Sequence, residues 1–292
     1  MTMAPEAPTT TLRFLALEIT SRCQLTCPAL CYAGSGPTQD HGSMTEADWN
    51  RTIDEAVILG AKDIQLIGGE PTLHPAFARM LQRAVDAGLR VRVYTNLLQV
   101  RGDHWRLFEH PSVHLATTYH SSVAAEHDAV TGRTGSHKAT RSNIAEAVRR
   151  GIRLKVAVLD RGEHERAERA RAEMQALGVH KVQVSQVRAV GNAAGITIPS
   201  AASLCGRCGD QKAAVLPDGS VSVCEMGRFL TAGSVKGTSL ASVLASERWA
   251  EVTASIPRRA AGAALCPPDC APNDDSACGP DNSGPCGPAD DS

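Results

Sequence analysis

Three cysteines fall within nine residues, Cys23, Cys27 and Cys31, in the run Cys-Gln-Leu-Thr-Cys-Pro-Ala-Leu-Cys-Tyr. Cysteine thiolates at short spacings hold iron–sulfur clusters, because one tight loop must aim several sulfurs at one small inorganic cube. Three thiolates on a four-iron cube leave one iron open, and chemistry can start there. Zinc also favours short cysteine spacings, but a structural zinc site wants four closed ligands, and the next cysteine is far away at Cys205. Arg22, Gln24 and Thr26 in the same loop argue against thiols that merely pack as small hydrophobes. A second set follows at Cys205, Cys208 and Cys224, and a third at Cys266, Cys270, Cys278 and Cys286. Each of the last four has a proline two residues later: Pro268, Pro272, Pro280 and Pro288. Proline stops helices and presets turns. The repeated unit therefore reads as a metal-folded tail, although its Pro, Asp and Gly content alone would suggest disorder. Zinc is the alternative metal for that tail.

The elements that must position these residues alternate regularly. Residues 12–19 read as a buried strand feeding the cysteine loop. Ser43 or Thr45 caps a helix ending at Gly60. Strands follow at 63–67, 89–95, 113–119, 152–159 and 179–187, with helices at 74–87, 103–109, 138–150 and 163–177 between them. Six alternations of strand and helix imply a parallel sheet with right-handed crossovers, an open partial barrel of (β/α)6 type. In barrels the chemistry sits at the carboxyl ends of the strands. The cysteine loop, the turn Gly68-Gly69-Glu70-Pro71 and Asn96 all fall at such ends. After about residue 195 the character changes, with a hairpin around Pro217-Asp218-Gly219 and a helix over 240–254. The fold class expected is α/β, a partial barrel with a small cysteine-rich C-terminal domain. Its divisions are a disordered start over 1–11, a barrel over 12–195 and a cluster domain over 196–292.

Composition excludes several functions. The net charge of −1 gives no basic field for nucleic acid, and an aromatic content of 3% disfavours a base-stacking surface. No apolar run approaches the roughly 18 residues of a membrane helix, and the start does not resemble a signal peptide. Ten cysteines without an export signal point to metal rather than disulfides, hence to a cytoplasmic, oxygen-sensitive protein.

The cysteine triplet, Tyr32 directly behind it and Gly68-Gly69-Glu70-Pro71 after the second strand resemble a radical S-adenosylmethionine (SAM) enzyme. The later cysteines, with Gly219 short of Cys224, resemble a SPASM/twitch auxiliary-cluster extension. The resemblance implies that Cys23, Cys27 and Cys31 bind a [4Fe-4S] cluster whose free iron chelates SAM. It also implies that Gly68, Gly69 and Glu70 bind the SAM amino group and that Tyr32 sits against the adenine. Ser121 or Ser122 would contact SAM, Arg133 would pair with its carboxylate, and Asn96 and Arg188 are further candidates for the cofactor. A departure is the spacing, three and three residues between cysteines where the family has three and two; one residue can bulge out without losing a ligand. Seven later cysteines (Cys205, Cys208, Cys224, Cys266, Cys270, Cys278 and Cys286) imply one or two auxiliary [4Fe-4S] clusters, since two closed cubes need eight ligands.

The resemblance further implies reductive cleavage of SAM to a 5′-deoxyadenosyl radical that abstracts hydrogen from substrate. Similar proteins often modify ribosomally made peptides by cross-linking, thioether formation, epimerisation or oxidation. A precursor peptide is therefore the expected partner, with a separate leader-recognition protein and a flavodoxin- or ferredoxin-type reductant, and neither nucleic acid nor membrane. A small metabolite such as an aminosugar is the alternative substrate, for a dehydrogenase or epimerase. A non-catalytic iron–sulfur scaffold or electron carrier is the alternative from another class, although it would not need an amino-binding turn. Tyr119 and His120 are candidate proton-transfer residues, with His127 nearby, and a packing role is the plainer alternative.

Overall fold

The alternation of strand and helix sets the architecture. The computed structural model describes residues 11–258. Strands β1 (Phe14–Glu18), β2 (Asp63–Ile67), β3 (Arg90–Tyr94), β4 (Val113–Thr118), β5 (Leu154–Asp160) and β6 (Lys181–Gln186) pair in parallel in chain order. Parallel neighbours need crossovers. These are α1 (Glu46–Ile58), α2 (Phe77–Asp86), α3 (Gly102–Phe108), the pair α4 (Ala124–Thr131) and α5 (Ser136–Arg149), and α6 (His164–Ala176). The result is the expected partial barrel. Thr45, one of the two caps considered, starts α1 through a reciprocal capping box with Asp48, at 3.2 and 3.0 Å.

Side chains alternate across each strand, and here the two faces differ in chemistry. Leu15, Leu17, Ile64, Leu66, Val91, Val93, Leu115, Val156 and Val158 pack into the core beneath the helices. The opposite face, toward the lumen, carries Gln65, Arg92, Tyr94, His114, Thr118 and Lys155, with Arg92 in register with both Gln65 and His114. Parallel strands are ordinarily apolar on both faces. A polar lumen therefore marks the side that is kept for ligands.

Three elements depart from the sequence expectation. The stretch between β4 and β5 holds two helices, because Gly132, at φ +70°, ends the first and the Asp128 carboxylate accepts the Gly135 and His137 amides, at 2.6 and 2.8 Å, where the second starts. The helix expected over 240–254 is two, α7 (Leu240–Leu244) and α8 (Glu247–Ala254). Ser246 breaks it, its hydroxyl capping the second helix at the Trp249 amide at 3.1 Å. The hairpin forms as expected between β7 (Lys212–Val215) and β8 (Ser220–Ser222), and β9 (Thr231–Ser234) adds a third strand. Strand β7 also pairs in parallel with β1, so the nine strands among the described residues form one sheet. Local pattern could not reveal that long-range pairing. The N-terminal stretch 1–10 and the cysteines at 266, 270, 278 and 286 lie outside the described residues.

Candidate active site

The loop that carries Cys23, Cys27 and Cys31 leaves the carboxyl end of β1. Its second half is a single helical turn, in which the Leu30 and Cys31 amides both donate to the Cys27 carbonyl at 3.1 Å. Pro28 occupies the first position of that turn, where its missing N–H costs nothing. Pro28 and Ala29 face solvent, so the additional residue of the three-and-three spacing is absorbed outward. Cys27 adopts φ +38°, unusual for a residue other than glycine. Neighbours from distant sequence hold it there. The Thr26 and Cys27 amides donate to Thr131 O at 3.2 Å. Asn192 donates its amide to Cys31 O at 2.7 Å and its side chain to Cys27 O at 3.2 Å. Gly191, at φ +56°, lies so near the Tyr32 carbonyl that a Cβ would collide with it. Arg228 donates to Ala33 O at 2.9 Å and pairs at 3.1 Å with Glu18, which is fully buried at the end of β1. Asn192, Thr131, Arg228 and Glu18 were not singled out in the sequence. Each acts through tertiary contact and belongs to no local motif.

All three thiols line one cavity at the carboxyl ends of the strands. Tyr32, Gly68, Gly69, Asn96, His120 and Arg188 line it too, which brings together six of the residues singled out in the sequence. The two glycines pass so close to Thr20 and Arg22 that neither position has room for a Cβ. Asn96 donates to Cys23 Sγ at 3.6 Å and accepts from Gln24 at 3.2 Å. Glu70 is not on this lining. Its buried carboxylate accepts from the Thr72 amide and hydroxyl at 3.2 and 2.6 Å, from Thr95 at 2.8 Å and from the Asn96 amide at 2.8 Å. Burial still raises it above the usual carboxylate range against those four donors. In this arrangement Glu70 ties the glycine turn to the end of β3.

Four other candidates lie elsewhere. Ser121 is buried and donates to Glu126 at 2.5 Å, and neither Ser121 nor Ser122 is part of the lining. Arg133 is exposed and reaches only the Gln24 carbonyl, at 3.4 Å. Tyr119 faces the helices, its hydroxyl on His137 at 2.7 Å and Glu173 at 2.8 Å, because it alternates with lumen-facing Thr118 along the chain. His120 and His127 do face the cavity, each with one buried ring nitrogen that has no hydrogen-bond partner. Burial holds their imidazoles neutral, His120 down to about 3 and His127 to about 4.

The donor set suits a cluster. Backbone amides already point at the sulfurs, Leu25 N at Cys23 Sγ (3.4 Å) and Ser35 N at Cys31 Sγ (3.2 Å); such bonds tune cluster thiolates. Burial pushes the Cys23 and Cys27 thiols up to about 12, so a metal must displace the proton to give thiolate. Cys205, Cys208 and Cys224 are arranged differently. They are 2%, 0% and 3% exposed and sit within the main hydrophobic core, their sulfurs 4.0 Å (Cys205–Cys208) and 3.2 Å (Cys208–Cys224) apart. The Gly227 amide donates to Cys224 Sγ at 3.2 Å. Arg258 grips Gly206 O and Cys208 O at 3.3 and 3.2 Å and so brings the end of the described chain to this site.

A partial barrel with a cysteine triplet opening on its strand ends defines an α/β iron–sulfur enzyme. A profile for the Radical SAM superfamily matches residues 17–173, more than half of the chain, and the protein belongs to that superfamily. A second profile, for the SPASM iron-sulfur cluster-binding domain, matches residues 205–271. The protein accordingly uses a [4Fe-4S] cluster with SAM, and auxiliary iron–sulfur clusters. The chain is similar to a PqqA peptide cyclase of Ruegeria pomeroyi, 29% identical over 190 residues, which cover 63% of this chain and 50% of that protein. It is also similar to an AdoMet-dependent heme synthase of Methanosarcina barkeri, 34% identical over 90 residues, 31% of this chain and 26% of that one. Streptococcus suis SuiB bound to precursor peptide SuiA shares the fold, with TM-score 0.67 and 11% identity over 81% of this chain and 65% of that chain. The chain thus spans half or less of these curated relatives' lengths. Among the described residues no helix is long and apolar enough to cross a membrane.

Proposed function

We propose that this radical SAM enzyme abstracts hydrogen from a ribosomally synthesised peptide and so modifies it. The observation that carries the reading is the single cavity on which the three thiols, the Gly68-Gly69 edge and Asn96 converge at the strand ends. Cys23, Cys27 and Cys31 would hold the catalytic cluster. The Gly68-Gly69 edge would admit the methionine end of SAM, with Tyr32 against the adenine and Arg188 at the rim. Cys205, Cys208 and Cys224 would serve the auxiliary region, completed by ligands from the tail. When bound, the cluster and SAM supply one-electron chemistry and the hydrogen-abstracting radical. The chain's own groups bind, orient and exclude water: the Asn192 and Thr131 straps fix the loop, and the buried lumen shields the reacting centre. His120 offers a neutral imidazole in the same cavity as a proton acceptor.

Three points support a peptide substrate. One relative is named a peptide cyclase, and a solved neighbour holds a precursor peptide. In addition, a cleft of about 800 Å³ runs along the outer turn of the cysteine loop, between Pro28-Ala29 and Arg161 to Arg169. That is room for an extended segment. The relative named as a heme synthase keeps a small-molecule substrate as the second reading. The barrel over 12–195 would carry the radical site and residues 196–292 the auxiliary one. An external low-potential reductant is required, and a separate protein would recognise the leader. The test is anaerobic incubation with SAM, a reductant and any short peptide encoded beside the gene. Release of 5′-deoxyadenosine with a mass change in the peptide is expected. Release of 5′-deoxyadenosine with no change in any such peptide would sink the peptide reading and leave the small-molecule one.

A further inference from the structure

The cleft of about 800 Å³ beside the cysteine loop has two unlike walls. One is apolar, made by Pro28 and Ala29 of the turn between Cys27 and Cys31 and by Ala129 and Val130 of α4. The other is charged and comes from the segment after β5 and the first turns of α6, Arg161 to Arg169. The cleft adjoins the cavity of the thiols, because its walls continue into the lining there. Pro28 follows Cys27, Val130 precedes Thr131, and Arg161 stands two residues beyond Leu159. Arg161 is also near enough for its charge to act on the imidazole of His120 in that cavity.

The charges of the lining are unequally satisfied. Glu163 pairs with Arg166 at 2.6 Å, and Glu165 lies 3.9 Å from Arg169. Glu126, on the α4 side, accepts from Ser121 at 2.5 Å. Arg166 is buried and donates as well to His120 O and, at 3.0 Å, to Leu159 O. Arg161 is exposed and forms no hydrogen bond or ion pair with any described residue. Each carboxylate of the lining thus has a partner, and one guanidinium has none among the described residues. A solvated arginine on a convex surface is ordinary, but this one lines a concave space whose other wall is apolar. Apolar burial supplies binding energy there, and the charge selects the partner. Two other occupants match less well. Residues 260–292 carry six aspartates and no lysine or arginine, but their one large apolar residue is Leu265, so they suit the cation and not the apolar wall. A two-fold contact between copies needs a self-complementary face, and a cleft is not one.

We propose that this cleft takes an extended segment of the substrate peptide in which apolar side chains alternate with acidic ones. Successive side chains of an extended chain point to opposite sides. One set then meets Pro28, Ala29, Ala129 and Val130, and the other meets Arg161. The proposal rests on the peptide reading of the function and narrows it to an amphipathic, acidic sequence near the modified residue. Binding alone tests it, so its failure is distinct from a failure to find a modified peptide.

The test is fluorescence anisotropy of three labelled heptapeptides titrated with the full, anaerobically reconstituted chain in the presence of SAM. The peptides are Val-Glu-Val-Glu-Val-Glu-Val, its counterpart with Lys for Glu, and its counterpart with Ser for Val. The Val/Glu peptide should bind about fivefold more tightly than the Val/Lys one, the size of one exposed ion pair. It should bind about tenfold more tightly than the Ser/Glu one, the size of one buried valine. Arg161→Gln should erase the preference for Glu over Lys, and Ala129→Asp should weaken the Val/Glu peptide; both positions are exposed, so the fold is kept. Arg106→Gln, exposed on α3 and outside the cleft, should change neither. No binding of any peptide, no preference for Glu, a preference that survives Arg161→Gln or one lost equally in Arg106→Gln overturns the proposal. So does a dimer, seen by light scattering, that Ala129→Asp dissolves, because a second copy would then fill the cleft.

Discussion

The two groups of described cysteines are built on opposite plans. Cys23, Cys27 and Cys31 stand around a cavity, on a loop whose shape is imposed by Thr131, Asn192 and Arg228 from three other parts of the chain. Cys205, Cys208 and Cys224 are sealed into the hydrophobic core with their sulfurs a few ångströms apart. The difference separates a centre that must admit a ligand from one that need only exist. An open site cannot rely on burial to fix its geometry and must be strapped from outside. A closed one is fixed by the packing around it.

The largest expected effect tests whether the two groups are independent. Replacing Cys23, Cys27 and Cys31 together by Ala should remove about four irons per chain and abolish 5′-deoxyadenosine formation, while auxiliary iron remains. Residual SAM cleavage would break the assignment of roles. Replacing Cys208 by Ser should do the reverse damage. It places a hydroxyl at a position with no exposure in the core, and should lower stability by about 1–3 kcal/mol together with auxiliary iron, measured by denaturant unfolding and iron content. A Cys208 variant as stable as the wild type would mean that the second group is not held by packing.

Arg228 joins the two regions. Arg228→Gln leaves the carboxylate of Glu18 buried beside Tyr32 without its cation. Burial already lifts Glu18 to about 7 from 4.5. Its contribution to stability is therefore full below about 4.5 and is lost as pH rises through 7. The variant should steepen that loss on the alkaline side, read as melting temperature against pH. The buried imidazoles run the other way. His74, His120 and His127 are depressed from 6.5 to about 4, 3 and 4. The stability they contribute is present above 6.5 and lost as pH falls toward those values. His127→Gln should flatten the acid side of the same curve.

The smallest effect concerns one strap. Asn192→Ala removes the hydrogen bond to Cys27 O and leaves the backbone bond to Cys31 O, a loss of about 1 kcal/mol. It should broaden the electron paramagnetic resonance signal of the catalytic cluster and leave the auxiliary signals unchanged. An equal change in both would erase the contrast between an open, strapped site and a closed, packed one.

The alternation of six strands and helices is legible because hydrophobic periodicity and glycine stops are local, and the parallel sheet follows from connection rules. The cysteine triplet, the glycine pair and Asn96 are legible because each falls just after a strand end. The inner or outer direction of a residue at such an end is less legible. Tyr119 and His120 are adjacent in sequence, yet one faces the helices and the other the cavity, and only the register of β4 decides which. Glu70 is a further case. Its type suits an ammonium, but Thr72, Thr95 and the Asn96 amide converge on it from two strand ends and take its acceptors.

By itself, the sequence determined the order of elements, the positions of the thiols and the family resemblance, all of which are written in short-range spacing. The tertiary structure alone decided the pairing of β7 with β1, the straps on the cysteine loop and the opposite facing of Tyr119 and His120. Those depend on contacts between residues far apart in the chain, where the energy of packing and register, rather than local propensity, selects the partner.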